Sequence, residues 1–280
     1  MRYIAKMNVI ECSFLTSAMQ RALLLLSLIF IISNCSQPQK NKVGGIAISF
    51  DDRFVKEWTA LRPIFQKYNA KFTFYITQPD SLSQDEVQLL HKLRKDGHEV
   101  GCHGAMHVRS MNYIWENSLQ EYMENEIFKA LRTMKKQGFV PKTFAHPGGS
   151  QTWYSDRELL KYFGLLRDVS MKHRNIFGFE YTRQVEDISE IYCQRNASQK
   201  VNALLIDTSA KLTIEDIKEG LQRAVKEGSV MMMFGHKPLT KTTHKPDEYG
   251  FDVAFLEQIL VESAKLNLRT FTMQECASMQ

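Results

Sequence analysis

The sequence predicts an α/β fold, a parallel sheet closed by helices into a barrel within one domain. Three observations carry that prediction. Short apolar runs alternate with amphipathic stretches from Val43 onward, the pattern of repeated strand and helix units. At 280 residues, 44% hydrophobic and 24% charged, the chain can bury one large core, and barrels of this size are commonly a single domain. The acidic and histidine residues with chemical potential also stand at or just beyond the C-terminal ends of predicted strands, which a parallel barrel gathers on one face.

Each element has its own signal. Ile46 to Phe50 is an apolar strand, followed by a helix near Val55 to Tyr68 and a β-rich run from Phe72 to Thr77. Ser83 with Glu86 forms a capping box for a helix to about Asp96, and Gly97 stops it. Glu99 to Cys102 is the next strand. A long amphipathic helix covers Leu119 to Gln137, and Thr143 to Ala145 is a short strand delivering His146-Pro147-Gly148-Gly149. A helix from Asp156 to Phe163 precedes strands at Leu165 to Val169 and Ala203 to Ile206. Thr213 with Asp216 opens a helix that Gly228 closes, and Val230 to Phe234 delivers Gly235-His236. A helix from Phe251 to Lys265 and a strand from Arg269 to Thr272 complete the alternation.

The N-terminus predicts export. Arg21 precedes the apolar run Ala22 to Ile32, shorter than the ~20 residues a bilayer-spanning helix needs but suited to a signal peptide. The run ends in Ile32-Ser33-Asn34-Cys35-Ser36, which resembles a bacterial lipobox, with Asn34 as a departure from its preference for a small residue. The expected organisation is a leader over residues 1–35, a polar tether over 36–43 and a catalytic domain over 44–280, with Met1 and Met19 both able to start the leader. The expected location is the cell envelope, with membrane attachment through an N-terminal lipid anchor facing the periplasm or cell surface. The net charge of +5 comes from basic residues dispersed among acidic ones, so no nucleic-acid partner is expected, and no protein partner is inferred. Beyond the leader remain Cys102, Cys193 and Cys276, an odd and widely spaced set that does not suggest a disulfide framework.

Ser49-Phe50-Asp51-Asp52 closes one strand and His103-Gly104-Ala105-Met106-His107 another. Two histidines four apart with a carboxylate from a neighbouring strand end look like a divalent-metal site with positions left open for chemistry. Alone, Asp51-Asp52 reads as a solvated turn or helix cap; beside the two histidines it reads as part of that site. Cys102 alternates away from His103 and reads as core.

The order of Ser-Phe-Asp-Asp, His-x-x-x-His, Pro-x-Gly and a late strand ending in histidine resembles the polysaccharide deacetylase family, also called NodB-like or carbohydrate esterase family 4, over about Gly44 to Glu275. The resemblance implies a distorted (β/α) barrel with fewer than eight strands. It also implies hydrolysis of acetyl groups on carbohydrate polymers with zinc or a similar divalent ion. Carried over by position, Asp52, His103 and His107 become metal ligands, Asp51 the catalytic base and His236 the catalytic acid. Two histidines and one carboxylate suit zinc, cobalt, manganese or nickel, with zinc expected first.

Several positions depart from the family pattern. Ala145 stands where an arginine usually orients the base, so the base is expected to lack that partner. His146 reads either as a substitute donor, as a wall of the substrate groove or as a packed strand-end histidine. Ala210-Lys211 replaces an expected Asp-Trp pair, which leaves Asp207 as the candidate to orient His236. Gly104 replaces a hydroxyl residue that supports the metal histidines. Near Gly148 a backbone N–H is expected to meet the oxyanion. Trp153 and Tyr154 either stack on a sugar or pack beneath the rim.

Other features read blandly. Met231-Met232-Met233 reads as a buried strand, His91, His98, His173 and His244 as surface or helix-end residues, Asn196-Ala197-Ser198 as a chance glycosylation pattern, and Lys237 to Tyr249 as a loop over the groove.

The expected function is hydrolysis of N-acetyl groups on an extracytoplasmic carbohydrate. A carbohydrate O-acetyl esterase with the same metal centre is one alternative, in which a better leaving group makes the missing orienting residues less damaging. A non-catalytic carbohydrate-binding lipoprotein is the other, although binding alone needs neither base nor acid.

Overall fold

The computed structural model describes residues 44–194, 199–240 and 249–279. The expected leader and tether, Asn196-Ala197-Ser198, His244 and most of the Lys237 to Tyr249 segment lie outside the described residues.

Seven parallel strands close into a barrel: β1 (Gly45–Asp52), β2 (Phe72–Ile76), β3 (Glu99–Cys102), β4 (Thr143–Ala145), β5 (Leu165–Ser170), β6 (Lys200–Leu205) and β7 (Val230–Gly235). Closure comes from pairing of β7 with β1 over Gly45 to Phe50, with Phe50 opposite Gly235. The predicted eighth strand, Arg269–Phe271, forms but does not enter the ring; it pairs only with the first residues of β1, below the point where β2 takes over that edge. The barrel is loosest between β3 and β4, joined by the single register pair Cys102 and Phe144.

Strand alternation sorts the side chains into two sets. Ile46, Ile48 and Phe50 face outward with Phe72, Phe74 and Phe144, where the surrounding helices cover them. Phe50 stacks on Phe72 at 5.3 Å and on Phe251 at 4.8 Å between ring centroids. Ala47, Tyr75, Ala145, Leu165, Ala203, Met232 and Phe234 form the second, interior set. Met231-Met232-Met233 is fully buried, as expected, and Cys102 belongs to the outward core.

The floor is sealed by the helix Met273–Ala277, which the sequence reading missed. Its capping box runs from Thr272 to Glu275. Met273 donates its N–H to Thr73 Oγ1 at 2.9 Å and Gln274 to Glu99 Oε2 at 2.8 Å. Glu99 also accepts from the hydroxyls of Thr73 and Thr143 at 2.8 and 2.6 Å.

Other differences have local causes. The helix predicted over Val55 to Tyr68 is two, Val55–Ala60 and Arg62–Lys67, with Pro63 in the first turn of the second. The long helix to Gln137 contains a π-helical turn at Met123–Phe128. The helix expected at Asp156 begins at Trp153, because Thr152 caps Ser155. A hairpin, His173–Ile176 with Phe179–Thr182, turns through Phe177 and Gly178, whose φ values of 52° and 87° suit a tight turn. His98 is buried rather than a surface residue. Its Nδ1 accepts the Phe72 N–H at 3.1 Å, and burial lowers its pKa to about 4.

Candidate active site

The C-terminal ends of β1, β3 and β7 bring five of the sequence-predicted residues together. Asp51 is the last inward residue of β1 and is buried, whereas Asp52 follows it with φ 86°. That left-handed backbone turns the two adjacent carboxylates in different directions; an aspartate tolerates it better than most residues.

His103 emerges from β3 and is 2% exposed. Its Nδ1 lies 2.8 Å from the carbonyl of Ala145, across the loosest seam of the barrel. A carbonyl can only accept, so Nδ1 carries the hydrogen and the Nε2 lone pair is left for another partner. That Nε2 lies 3.9 Å from Asp52 Oδ1. His107 Nε2 lies 3.4 Å from the same oxygen, and its backbone also has positive φ, at 62°. Two of the three donors thus stand on backbone conformations that cost energy, a feature that clusters at functional sites.

The donors of Asp52, His103 and His107 all fall within 4.8 Å of one another. One carboxylate oxygen and two imidazole nitrogens, with one tautomer fixed by a backbone carbonyl, fit a divalent cation of the zinc class. The other oxygen of Asp52 accepts the Tyr249 hydroxyl at 2.7 Å, and the Tyr249 ring lies 4.5 Å from that of His236. The sequence reading had assigned Tyr249 no such role.

The expected gap beside the base is filled. Arg167, fully buried on β5, donates through Nη2 to Asp51 Oδ2. Arg167 is the register partner of Ala145, so an arginine one strand along reaches the same level of the barrel from beside a small residue. Its guanidinium also lies over Phe234 at 4.4 Å and Tyr75 at 5.4 Å, giving a buried cation aromatic faces as well as a carboxylate. Burial pushes the Asp51 carboxyl up, but Arg167, His103 and His236 more than reverse this and hold it below its usual range. Its Oδ1 is buried with no hydrogen-bond partner among the described residues. Arg167 thus engages one oxygen and leaves the other as an acceptor. The missed signal was a charged residue at an inward position of an apolar strand.

His236 follows β7. Asp207 Oδ1 accepts its backbone N–H at 3.1 Å, and Oδ2 accepts from Nδ1 at 2.6 Å. Asp207 therefore holds both the backbone and the ring of His236. Burial works against protonation of His236, yet the bond to Asp207 and the charge of Asp51 leave its pKa raised. Trp58 Nε1 donates to the His236 carbonyl at 2.8 Å and ties the residue to the first helix.

His146 does not meet the base. It is buried with Nε2 3.2 Å from Asp156 Oδ1, joining the loop after β4 to the helix Trp153–Leu159. Gly148 has φ 59°. A side chain there would meet Arg109, with a Cβ only 2.7 Å from Nε. Trp153 is 74% exposed and does not pack beneath the rim.

Comparison with known proteins agrees with the geometry. Residues 38–165 match the family model for polysaccharide deacetylase. A stretch of 114 residues is 31% identical to a peptidoglycan-N-acetylglucosamine deacetylase of Bacillus cereus, covering 40% of this chain and 49% of that protein. A stretch of 88 residues is 34% identical to the uncharacterized protein YlxY of Bacillus subtilis, covering 31% of this chain and 26% of that protein. The matches span about half and about a quarter of these relatives' lengths. The crystal structure of the Bc1960 peptidoglycan N-acetylglucosamine deacetylase, bound to 4-naphthalen-1-yl-N-oxidanyl-benzamide, shares the fold with TM-score 0.50 and 15% identity, over 85% of this chain and 89% of that one. The matched segment holds Asp51, Asp52, His103 and His107, while Arg167 on β5 and Asp207 and His236, just past the ends of β6 and β7, lie beyond it. The match to the polysaccharide deacetylase model thus covers residues 38–165, less than half of the chain, and the likeness to the crystal structure extends to the barrel fold.

Proposed function

We propose that this protein is a metal-dependent hydrolase that removes N-acetyl groups from an acetylated carbohydrate outside the cytoplasm. The observation that carries this reading is the convergence at one barrel mouth of a metal-type donor set, a carboxylate with one free buried oxygen and a histidine held by its own carboxylate.

Asp52, His103 and His107 would hold the ion. A divalent cation there supplies polarisation of the amide carbonyl and a lower pKa for water. The protein's own groups do the rest. Asp51 accepts through Oδ1 the proton of the attacking water, while Arg167 keeps its other oxygen occupied and the group ionised. A backbone N–H near Gly148, on the loop after β4, would donate to the developing oxyanion. His236, with Nδ1 held by Asp207, has Nε2 left to protonate the departing nitrogen.

Amide rather than ester cleavage is favoured by the same pairs. An amine leaves only if protonated, and the bond to Asp207 and the charge of Asp51 favour the protonated form of His236. The O-acetyl alternative drew support from orienting groups absent in the motifs; Arg167 and Asp207 fill those places and remove that support. Exposed Trp153 beside the mouth gives a sugar ring a surface to stack on. The N-acetylglucosamine in the name of the Bacillus cereus relative suggests an N-acetylated amino sugar, and the lipobox-like leader suggests attachment to the cell envelope. Zinc is the first expected ion.

The test is acetate release from acetylated chito-oligosaccharides and from an acetyl ester, with zinc, with chelator and with Asp51→Asn. Faster release from the amide, abolished by chelator and by the substitution, supports the reading. Release unaffected by either control overturns it.

A further inference from the structure

Glu126 has no place among the family-derived roles, yet it is fully buried against the loop that separates the two metal-type histidines. Its Oε2 accepts the Met106 N–H at 2.6 Å and its Oε1 the Val108 N–H at 3.1 Å, one residue on either side of His107. Its backbone carbonyl accepts the Ala105 N–H at 2.9 Å. Three loop amides therefore end on one residue. These bonds satisfy backbone donors in a segment where Gly104 and His107 both have positive φ and no regular secondary structure could satisfy them.

Two further observations show that the chain is built around this contact. Glu126 lies within the π-helical turn Met123–Phe128, an irregularity that resets the face a helix presents and is frequent at functional sites. A Cβ on Gly104 would lie 2.0 Å from Glu126 Oε1, so the carboxylate occupies the space a side chain at position 104 would need. Absence of a side chain at 104 and presence of the carboxylate are two halves of one arrangement.

We infer that Glu126 is a positioning residue that clamps the loop Gly104–Val108 and presents His107 to the cation, replacing support that a side chain at position 104 cannot give. The inference rests on the reading that Asp52, His103 and His107 bind a metal. Glu126 touches neither ion nor substrate; it acts through the backbone on either side of His107. Two carboxylate oxygens serve two amides, so an amide side chain keeps one acceptor and an alanine keeps none.

Zinc affinity is measured by competition with a fluorescent chelator for the wild type, Glu126→Gln, Glu126→Ala and His107→Ala, alongside the visible spectrum of the cobalt-loaded forms. Amide hydrogen exchange of Met106 and Val108 is followed in the metal-free wild type. The expected results are protected amides in the wild type, an affinity about 10- to 100-fold weaker in Glu126→Ala, a smaller loss in Glu126→Gln and an altered cobalt spectrum in both. Folded Glu126 variants that bind zinc like the wild type, with an unchanged cobalt spectrum, overturn the inference and leave the metal site standing. Should neither variant fold, rapid exchange of the Met106 and Val108 amides in the wild type overturns it by itself. A wild type that binds no better than His107→Ala overturns the metal reading, and this inference with it.

Discussion

The barrel buries a carboxylate at each end, and the two are kept in opposite ways. At the floor, Glu99 accepts from two threonine hydroxyls and one backbone N–H and has no cation partner among the described residues. Burial dominates there and raises its pKa. At the mouth, Asp51 is equally enclosed but lies against Arg167 with two histidines nearby, and its pKa is lowered. Neutral donors satisfy a carboxyl group without insisting on its charge, whereas a buried guanidinium insists on it. The floor carboxylate is thus suited to holding elements together and the mouth carboxylate to accepting a proton.

The largest contrast comes from removing each charge. Asp51→Asn should lower acetate release by on the order of 10²- to 10⁴-fold. It should also cost about 3–5 kcal/mol in urea denaturation at pH 7, because Arg167 is left as a buried unpaired cation. Glu99→Gln, which retains hydrogen-bonding capacity, should change stability by less than about 1 kcal/mol and leave kcat nearly intact. Comparable losses in the two variants would break the comparison.

The pH dependence sharpens it. The folded-state pKa of Asp51 is depressed, so its contribution is present above the unfolded value and disappears as pH falls through the folded one. That of Glu99 is raised, so its contribution is present below the unfolded value and disappears as pH rises through the folded one. Denaturation midpoints should show Glu99→Gln gaining on the wild type as pH rises above the ordinary carboxylate range, and Asp51→Asn closing its gap to the wild type as pH falls below that range. Parallel curves would refute the assignment.

Asp207 extends the contrast to a carboxylate paired with an imidazole. Asp207→Asn removes the bond that raises the His236 pKa, so the alkaline limb of kcat/KM should move to lower pH, with about a 10- to 100-fold loss at pH 8 if His236 is the acid. An unmoved limb would remove His236 from that role. The smallest effect belongs to Trp58→Phe, which leaves the His236 carbonyl without its N–H donor. About 1 kcal/mol of stability and less than a tenfold fall in kcat are expected from denaturation and acetate assays.

What could be read in advance follows from how local each signal is. Asp51-Asp52 and the two histidines are contiguous motifs, and strand periodicity alone placed them at one end of a barrel. Asp207 became a candidate partner of His236 only through the resemblance to the family's fourth motif. Arg167 could not be found this way, since it meets Asp51 across 116 positions and the pairing depends on the register between β4 and β5. Glu126 was hidden by a π-turn, which shifts a helical face without leaving a mark on apolar periodicity. The Arg269–Phe271 strand had the right composition for the barrel, and only the competition with β2 for one edge of β1 excluded it.

The most direct test of this account is the pH profile of kcat/KM for Arg167→Gln beside the wild type. If the arginine of β5 has taken over the support of the base, the variant should lose on the order of 100-fold in rate and its acidic limb should move to higher pH, because Asp51 no longer has a cation to hold it ionised. A folded variant with near-wild-type rate and an unmoved acidic limb would contradict the account.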